Sequence, residues 1–234
     1  MSQYRQSPFA NIPPVVKNLL IINILFYLAE WVFRNHFDMV GTFSAFYFDS
    51  PLFKPWQIVT YMFMHDPNDP MHIVGNMFGL FMFGPMLEYT IGSKRFFNYY
   101  FICGIGALLL QLGVQGIELH NITGHFTHGD FLPQDQSTLH KLQGVYGPVL
   151  GASGAIFGIL AGFAILFPNV EMMLILIPFP IKAKYFVSFY FVFELYDGFS
   201  RAGDNVAHFA HIGGALVGFI LIKIWGLRSP QQFY

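Results

Sequence analysis

Six blocks of apolar residues recur along the chain, at 15–33, 72–89, 96–114, 148–167, 185–196 and 205–225, with polar stretches between them. Charges are sparse inside the blocks. The pattern is neither the one-sided stripe of a surface helix nor the alternation of a strand; it is the continuous run of a helix that is apolar all round. About 20 such residues, rising ~1.5 Å each, cross ~30 Å of hydrocarbon. The fifth block reaches that length only if 181–184 extend it. A transmembrane barrel would show short alternating segments instead. The pattern therefore predicts an all-α membrane protein, a bundle of six transmembrane helices. Residues 1–14 are expected as a cytoplasmic tail, 15–226 as one membrane domain and 227–234 as a short C-terminal tail.

The stretches between blocks differ in character. Residues 34–71 are rich in Pro, Asp and aromatics, including Pro55-Trp56-Gln57 and Asp66-Pro67-Asn68-Asp69-Pro70, a composition that suits short helices lying at a membrane interface. Residues 115–147 form a polar insertion holding His120, His125, His128 and His140. Residues 171–184 make an apolar connection interrupted by prolines.

Basic residues set the orientation. Arg5, Lys17, Lys94, Arg95, Lys182, Lys184, Lys223 and Arg228 fall on one side of the six-span arrangement. Arg34, Lys54, Lys141 and Arg201 fall on the other, with all eight aspartates. Both termini are accordingly expected in the cytoplasm. Composition agrees: 54% of the 234 residues are hydrophobic and 11% charged, against about a quarter charged in a soluble domain. A net charge of −1 gives no reason to expect nucleic acid. Cys103 is alone, so no disulfide framework exists. The first block lacks a small-residue cleavage site and reads as a retained span. So compact a chain suits a bacterial inner membrane.

Chemistry concentrates at the heads of three blocks. Gly151-Ala152-Ser153-Gly154-Ala155-Ile156-Phe157-Gly158 opens the fourth, Ala210-His211-Ile212-Gly213-Gly214 opens the sixth, and His72 with Asn76 opens the second. These three blocks run in the same direction, so their heads share the outer side. Ser153 follows Pro148 by five residues, ~8 Å of helix, and His211 follows Asn205 by six, ~9 Å. The four polar groups are expected at one depth, reachable by water from outside. Gly154, Gly158 and Gly162 recur every four residues, and Gly214 and Gly218 follow His211 on its own face. Such stripes let two membrane helices approach closely. They pack helices whatever the function, but with Ser153 and His211 at their heads they would also bring a hydroxyl to an imidazole.

A serine hydroxyl becomes a nucleophile when a base takes its proton, and neutral histidine serves near pH 7. The sixth block has no acid between Asn205 and Trp225, and Glu88 lies at the far end of its own block. The expectation is a Ser153–His211 dyad without an acid, the ring of His211 held by packing on Phe157. Oxyanion donors are expected from the backbone at Ser153 and the side chains of His72 and Asn76.

His72-xxx-Asn76, Gly151-x-Ser153-Gly154 and Ala210-His211-xx-Gly214-xxx-Gly218 resemble, in order, the three signature motifs of the rhomboid family of intramembrane serine proteases. Glu88 with Gly92-Ser93-Lys94-Arg95-Phe96, and Phe167-Pro168-Asn169, also look like family positions. The resemblance extends over about 55–225. It implies a rhomboid-like six-helix bundle, a nucleophile at Ser153, a base at His211 and oxyanion support from His72 and Asn76. It also implies transmembrane protein substrates cut near the outer end of a span, with small residues at the cut, and no metal or cofactor. Two features depart from the pattern. Many members carry Trp-Arg where this chain has Trp56-Gln57. The 115–147 insertion is longer than in the smallest members, and both a gate and a surface decoration fit its position.

Three other readings compete. His208 and His211 could bind Zn²⁺ with His72 or His65, but no HExxH is present; His120, His125, His128 and Asp130 could bind a metal in the insertion, but that stretch reads first as a solvated polar loop. A non-catalytic relative that binds transmembrane clients would generally lack the serine or the histidine. A transporter would carry mid-span charges that are almost absent.

Overall fold

The computed structural model describes residues 12–127, 133, 135–172, 179–200 and 208–229. Among them are nine α-helices: α1 (Pro14–Phe33), α2 (Met39–Phe43), α3 (Gln57–Thr60), α4 (Pro70–Ile91), α5 (Ser93–Thr123), α6 (Gln136–Val145), α7 (Ser153–Leu166), α8 (Ala183–Ser200) and α9 (His208–Ile224). Two antiparallel strand fragments, β1 (Glu171–Met172) and β2 (Ile181–Lys182), link α7 to α8. By length and composition, α1 and α5 can each cross a membrane, while α7 and α9 are apolar but shorter. The outward faces are greasy: Leu25 is 58% exposed, Phe189 71% and Ile224 72%. Apolar surface spread over several helices in this way suits lipid rather than water.

The tightest packing is between α7 and α9, with α5 lying against both. Glycine explains it. A Cβ on Gly214 would overlap the carbonyl of Gly154, and one on Gly218 would sit 2.7 Å from the Gly158 carbonyl oxygen. Gly162 belongs to the same stripe but faces Tyr99. The Tyr99 hydroxyl donates to the Gly158 carbonyl at 2.7 Å, tying α5 to the same seam.

Polar tethers hold the rest. The N-cap of α1 is Pro13, which offers no side-chain acceptor. Instead the carboxylate of Glu88, at the end of α4, accepts from the backbone N–H groups of Val15 (3.1 Å) and Val16 (2.8 Å) and from the Ser93 hydroxyl (2.6 Å). Gln57 is wholly buried. Its Nε2 donates to the carbonyls of Leu52, Gly41 and Thr42, and its Oε1 accepts from the Lys54 N–H. A neutral amide here ties down the loop between α2 and α3.

Several boundaries differ from expectation. The fourth block does not become helical at Pro148. Val149 exchanges backbone hydrogen bonds with Ala45 (2.8 and 2.9 Å), so the chain is extended there and α7 begins at Ser153. The depth of helix reckoned from Pro148 is therefore absent. The third block runs on to Thr123, where Gly124 closes it with a left-handed φ of 80°. The insertion is thus partly helical: α6 and the end of α5 enclose a second small core of Tyr47, Leu119, Leu142 and Val145. The fifth block gives a full 18-residue helix. Asn205, His128 and Asp130 lie outside the described residues.

The α7–α9 seam yields a direct test. Gly214→Ala should lower the thermal midpoint in detergent, corresponding to about 1–3 kcal/mol of overpacking against backbone that has no room to yield. Gly113→Ala, where a Cβ meets nothing within 4 Å, should leave the midpoint unchanged or raise it. Equal midpoints for the two variants would contradict this account of the seam.

Candidate active site

Ser153 is the first residue of α7, and local hydrogen bonds fix it there. The Gly151 N–H donates to the Tyr61 carbonyl at 3.0 Å, and the Tyr61 hydroxyl donates to the Gly104 carbonyl at 2.6 Å. Gly151 has φ 124°, a conformation that favours glycine. A Cβ there would also stand 2.8 Å from His72 Nε2 and 3.5 Å from Ser153 Oγ. The glycine two residues before the serine thus keeps open a spot that His72 and Ser153 both border. Ala152, the N-cap, offers no side-chain acceptor to the first amides of α7, which leaves them available to an anion.

Facing this helix start, the His211 ring comes from the first turn of α9. Its Nε2 lies 2.8 Å from Ser153 Oγ. Phe157, one turn after Ser153, stacks on the same imidazole with centroids 4.3 Å apart and planes within 3°. Ser153, His211 and Phe157 therefore meet, and Gly154, Gly158, Gly214 and Gly218 line the seam that brings them together.

His72 stands beside this group across Gly151, and Asn76 lies one turn further along α4. The Asp66 N–H donates to His72 Nδ1 at 3.3 Å, which leaves the ring proton on Nε2, the nitrogen facing Gly151. Asn76 Nδ2 donates to the His72 carbonyl at 2.7 Å, within α4. One of its two N–H donors is spent there, and no hydrogen bond joins it to Ser153 among the described residues. His65, in the loop before α4, packs edgewise on His72 with centroids 5.1 Å apart.

The expectation of an imidazole without an acid needs correction. Glu194, from α8, places Oε2 2.9 Å from His211 Nδ1 and 2.7 Å from His208 Nδ1. The carboxylate is buried, only 5% exposed. The acid comes from the fifth block, not from the blocks that carry His211 and His72. An acid within an apolar run is by itself a reason to suspect function.

The ligand atoms of Glu194, His208 and His211 lie within 4.8 Å of one another, so these three could hold a cation. That set replaces the one expected from His208 and His211 with His72 or His65. In the insertion, His120 stacks on Phe126 at 4.7 Å.

The family model of the Rhomboid domain matches residues 52–228, which leaves α1 outside the match. The chain is 29% identical over 154 residues to Rhomboid protein 1, mitochondrial, of Saccharomyces cerevisiae, covering 64% of this chain and 36% of that protein. It is 27% identical over 213 residues to Rhomboid-like protein 11, chloroplastic, of Arabidopsis thaliana, covering 87% of this chain and 62% of that one. RHOMBOID-like protein 6, mitochondrial, of the same plant is 29% identical over 181 residues, 76% of this chain and 46% of that one. The matched stretches thus span between about a third and three fifths of these relatives' own lengths.

His65 supplies a pH test. Burial, then the neighbouring His72 ring, push it down to about 3, the Phe63 backbone opposing. The unfolded chain takes up a proton at this residue at about pH 6.5, so acidification below that point favours unfolding until the folded pKa is reached. Its ¹⁵N resonances should remain those of neutral imidazole down to about pH 4, while the thermal midpoint falls. An inflection for His65 between about pH 6 and 7 would refute this environment.

Proposed function

The chain belongs to the rhomboid family, and from that premise we propose that it is an intramembrane serine endopeptidase. The observation that carries the reading is the 2.8 Å contact between Ser153 Oγ and His211 Nε2. As the substrate peptide carbonyl is attacked, the Oγ–C bond forms and the Oγ proton passes to His211 Nε2. The oxyanion that develops is met by the Nε2–H of His72, the free amides at the start of α7, and the second N–H of Asn76. Collapse breaks the C–N bond, and His211 returns its proton to the departing amine. Water then repeats the sequence: its proton goes to Nε2, its oxygen bonds carbon, and Oγ leaves and is reprotonated. Phe157 keeps the imidazole in plane throughout.

Family members are integral membrane proteins that act on membrane-protein substrates. In this reading α1, α4, α5, α7, α8 and α9 cross the bilayer, both termini lie in the cytoplasm, and the serine faces the outer side. The substrate is a transmembrane segment cut near its outer end, at small residues. The named relatives are mitochondrial and chloroplastic; the expectation of a bacterial inner membrane rests on chain size alone and draws no support from them.

Purified full-length protein in liposomes should cleave a model transmembrane substrate. Ser153→Ala and His211→Ala should each reduce cleavage to background, and a fluorophosphonate probe should label Ser153 alone. Chelators should leave the rate unchanged; their inhibition, reversed by Zn²⁺, would favour metal chemistry at Glu194, His208 and His211. Full activity in either alanine variant rejects the serine mechanism. Substrate binding without any cleavage would point to a client-binding relative.

A further inference from the structure

We propose that Glu194 is the positioning carboxylate of this site, giving the His211 ring the orientation and tautomer that let its Nε2 accept the Ser153 proton. The proposal rests on the reading of Ser153 and His211 as nucleophile and base. It starts from an oddity of composition: a carboxylate, 5% exposed, on a helix whose other faces carry Phe189, Val192 and Phe193. A buried carboxylate is costly unless donors meet it. Two meet this one, and both arrive at the same oxygen: His208 Nδ1 at 2.7 Å and His211 Nδ1 at 2.9 Å.

The consequence for His211 follows from donor and acceptor arithmetic. An ionised carboxylate only accepts, so His211 must carry its proton on Nδ1 to bond Glu194. Neutral imidazole has one ring proton, and Nε2 is then a bare lone pair, 2.8 Å from Ser153 Oγ. The opposite tautomer would aim an N–H at the serine oxygen, and Nε2 could not take the hydroxyl proton. Orientation is fixed by two further contacts. Phe157 covers one ring face at 4.3 Å. Tyr190, one turn before Glu194 on α8, packs on Phe157 with centroids 4.9 Å apart. One short stretch of α8 therefore holds the edge of the imidazole directly and backs the ring that covers its face.

No proton moves to Glu194 during the reaction. When Nε2 takes the Ser153 proton, the imidazolium keeps its Nδ1–H on the carboxylate, and the Nε2 proton later goes to the leaving amine. His208 stays as second donor and holds Oε2 in place while the neighbouring ring gains and loses charge.

The test compares Glu194→Gln and Glu194→Asp with the wild type and with Ser153→Ala in the full chain, reading kcat, KM, thermal midpoint and the ¹⁵N spectrum of His211. Glu194→Gln should lower kcat on the order of 10²-fold, less than in triads where the acid is the chief support because Phe157 still holds the ring. KM should stay within about 2-fold, since Glu194 does not touch substrate. Glu194→Asp should retain more activity than Gln although its shape fits worse; Gln equalling or exceeding Asp marks a packing role and overturns the proposal. Wild-type kcat in Glu194→Gln, with Ser153→Ala inactive, overturns the role of Glu194 and leaves the serine mechanism standing. Activity in Ser153→Ala sinks the underlying reading instead. If neither Glu194 variant folds, the wild-type spectrum decides: a protonated Nδ1 with bare Nε2 supports the proposal, and the reverse tautomer refutes it.

Discussion

Contact between the backbones of α7 and α9 is the constraint on which the structure depends. Side chains ordinarily hold helix axes 8–10 Å apart. Here Gly214 lies against the Gly154 carbonyl and Gly218 against Gly158, so the two helices touch main chain to main chain. Lipid supplies little hydrophobic drive for helix association, which leaves close packing and hydrogen bonds to do it. The same contact sets the distance between the residues that head the two stripes. Ser153 precedes Gly154 and His211 precedes Gly214 by three; a wider spacing would separate the hydroxyl from the imidazole. Packing and site geometry are one feature of these two helices.

Around that seam, polar groups are tied chiefly to backbone. Glu88 serves the first amides of α1, Gln57 gathers four backbone groups, and Tyr61 and Tyr99 each donate to a carbonyl. Each bond is modest in water but costly to break where no water can replace it. The tethers converge on the segment before Ser153: Ala45 pairs with Val149, and Tyr61 accepts from Gly151. The insertion joins the same network, since the Tyr47 hydroxyl bonds the Phe126 carbonyl at 3.0 Å and Tyr146 bonds Asp49 at 3.2 Å. It is docked on the loop that holds the serine's approach.

What could be read from sequence was what local spacing encodes. Every-fourth glycines on two apolar runs permit a close pair of helices, and Phe157 one turn after Ser153 places a ring where it can pack on whatever the serine faces. The start of α7 could not be read in that way. Nothing near Pro148 says that Val149 pairs with Ala45, about a hundred residues earlier, and it is this long-range bridge that delays the helix to Ser153. The extension of α5 to Thr123 was hidden by polar residues on its last turns, whose apolar partners Tyr47 and Leu142 come from distant segments. Glu194 stood in plain view within an apolar run, yet its partner was findable only once α8 was known to lie beside α9.

Electrostatics gives that carboxylate its importance. Proton transfer from Ser153 to His211 would create a cation in the bundle while an oxyanion forms nearby. In a low-dielectric interior both charges are expensive unless opposite charge is already in place. Glu194, held by His208, would form with the imidazolium a pair of no net charge, and the oxyanion would be left to the amides of α7 and the Nε2–H of His72. The total charge of the site would then be the same before and after the transfer, and it would only move, over a few ångströms, between groups whose positions the α7–α9 contact and α8 have already fixed. Preorganised dipoles of this kind do not have to reorient as the reaction proceeds, which is what distinguishes them from water.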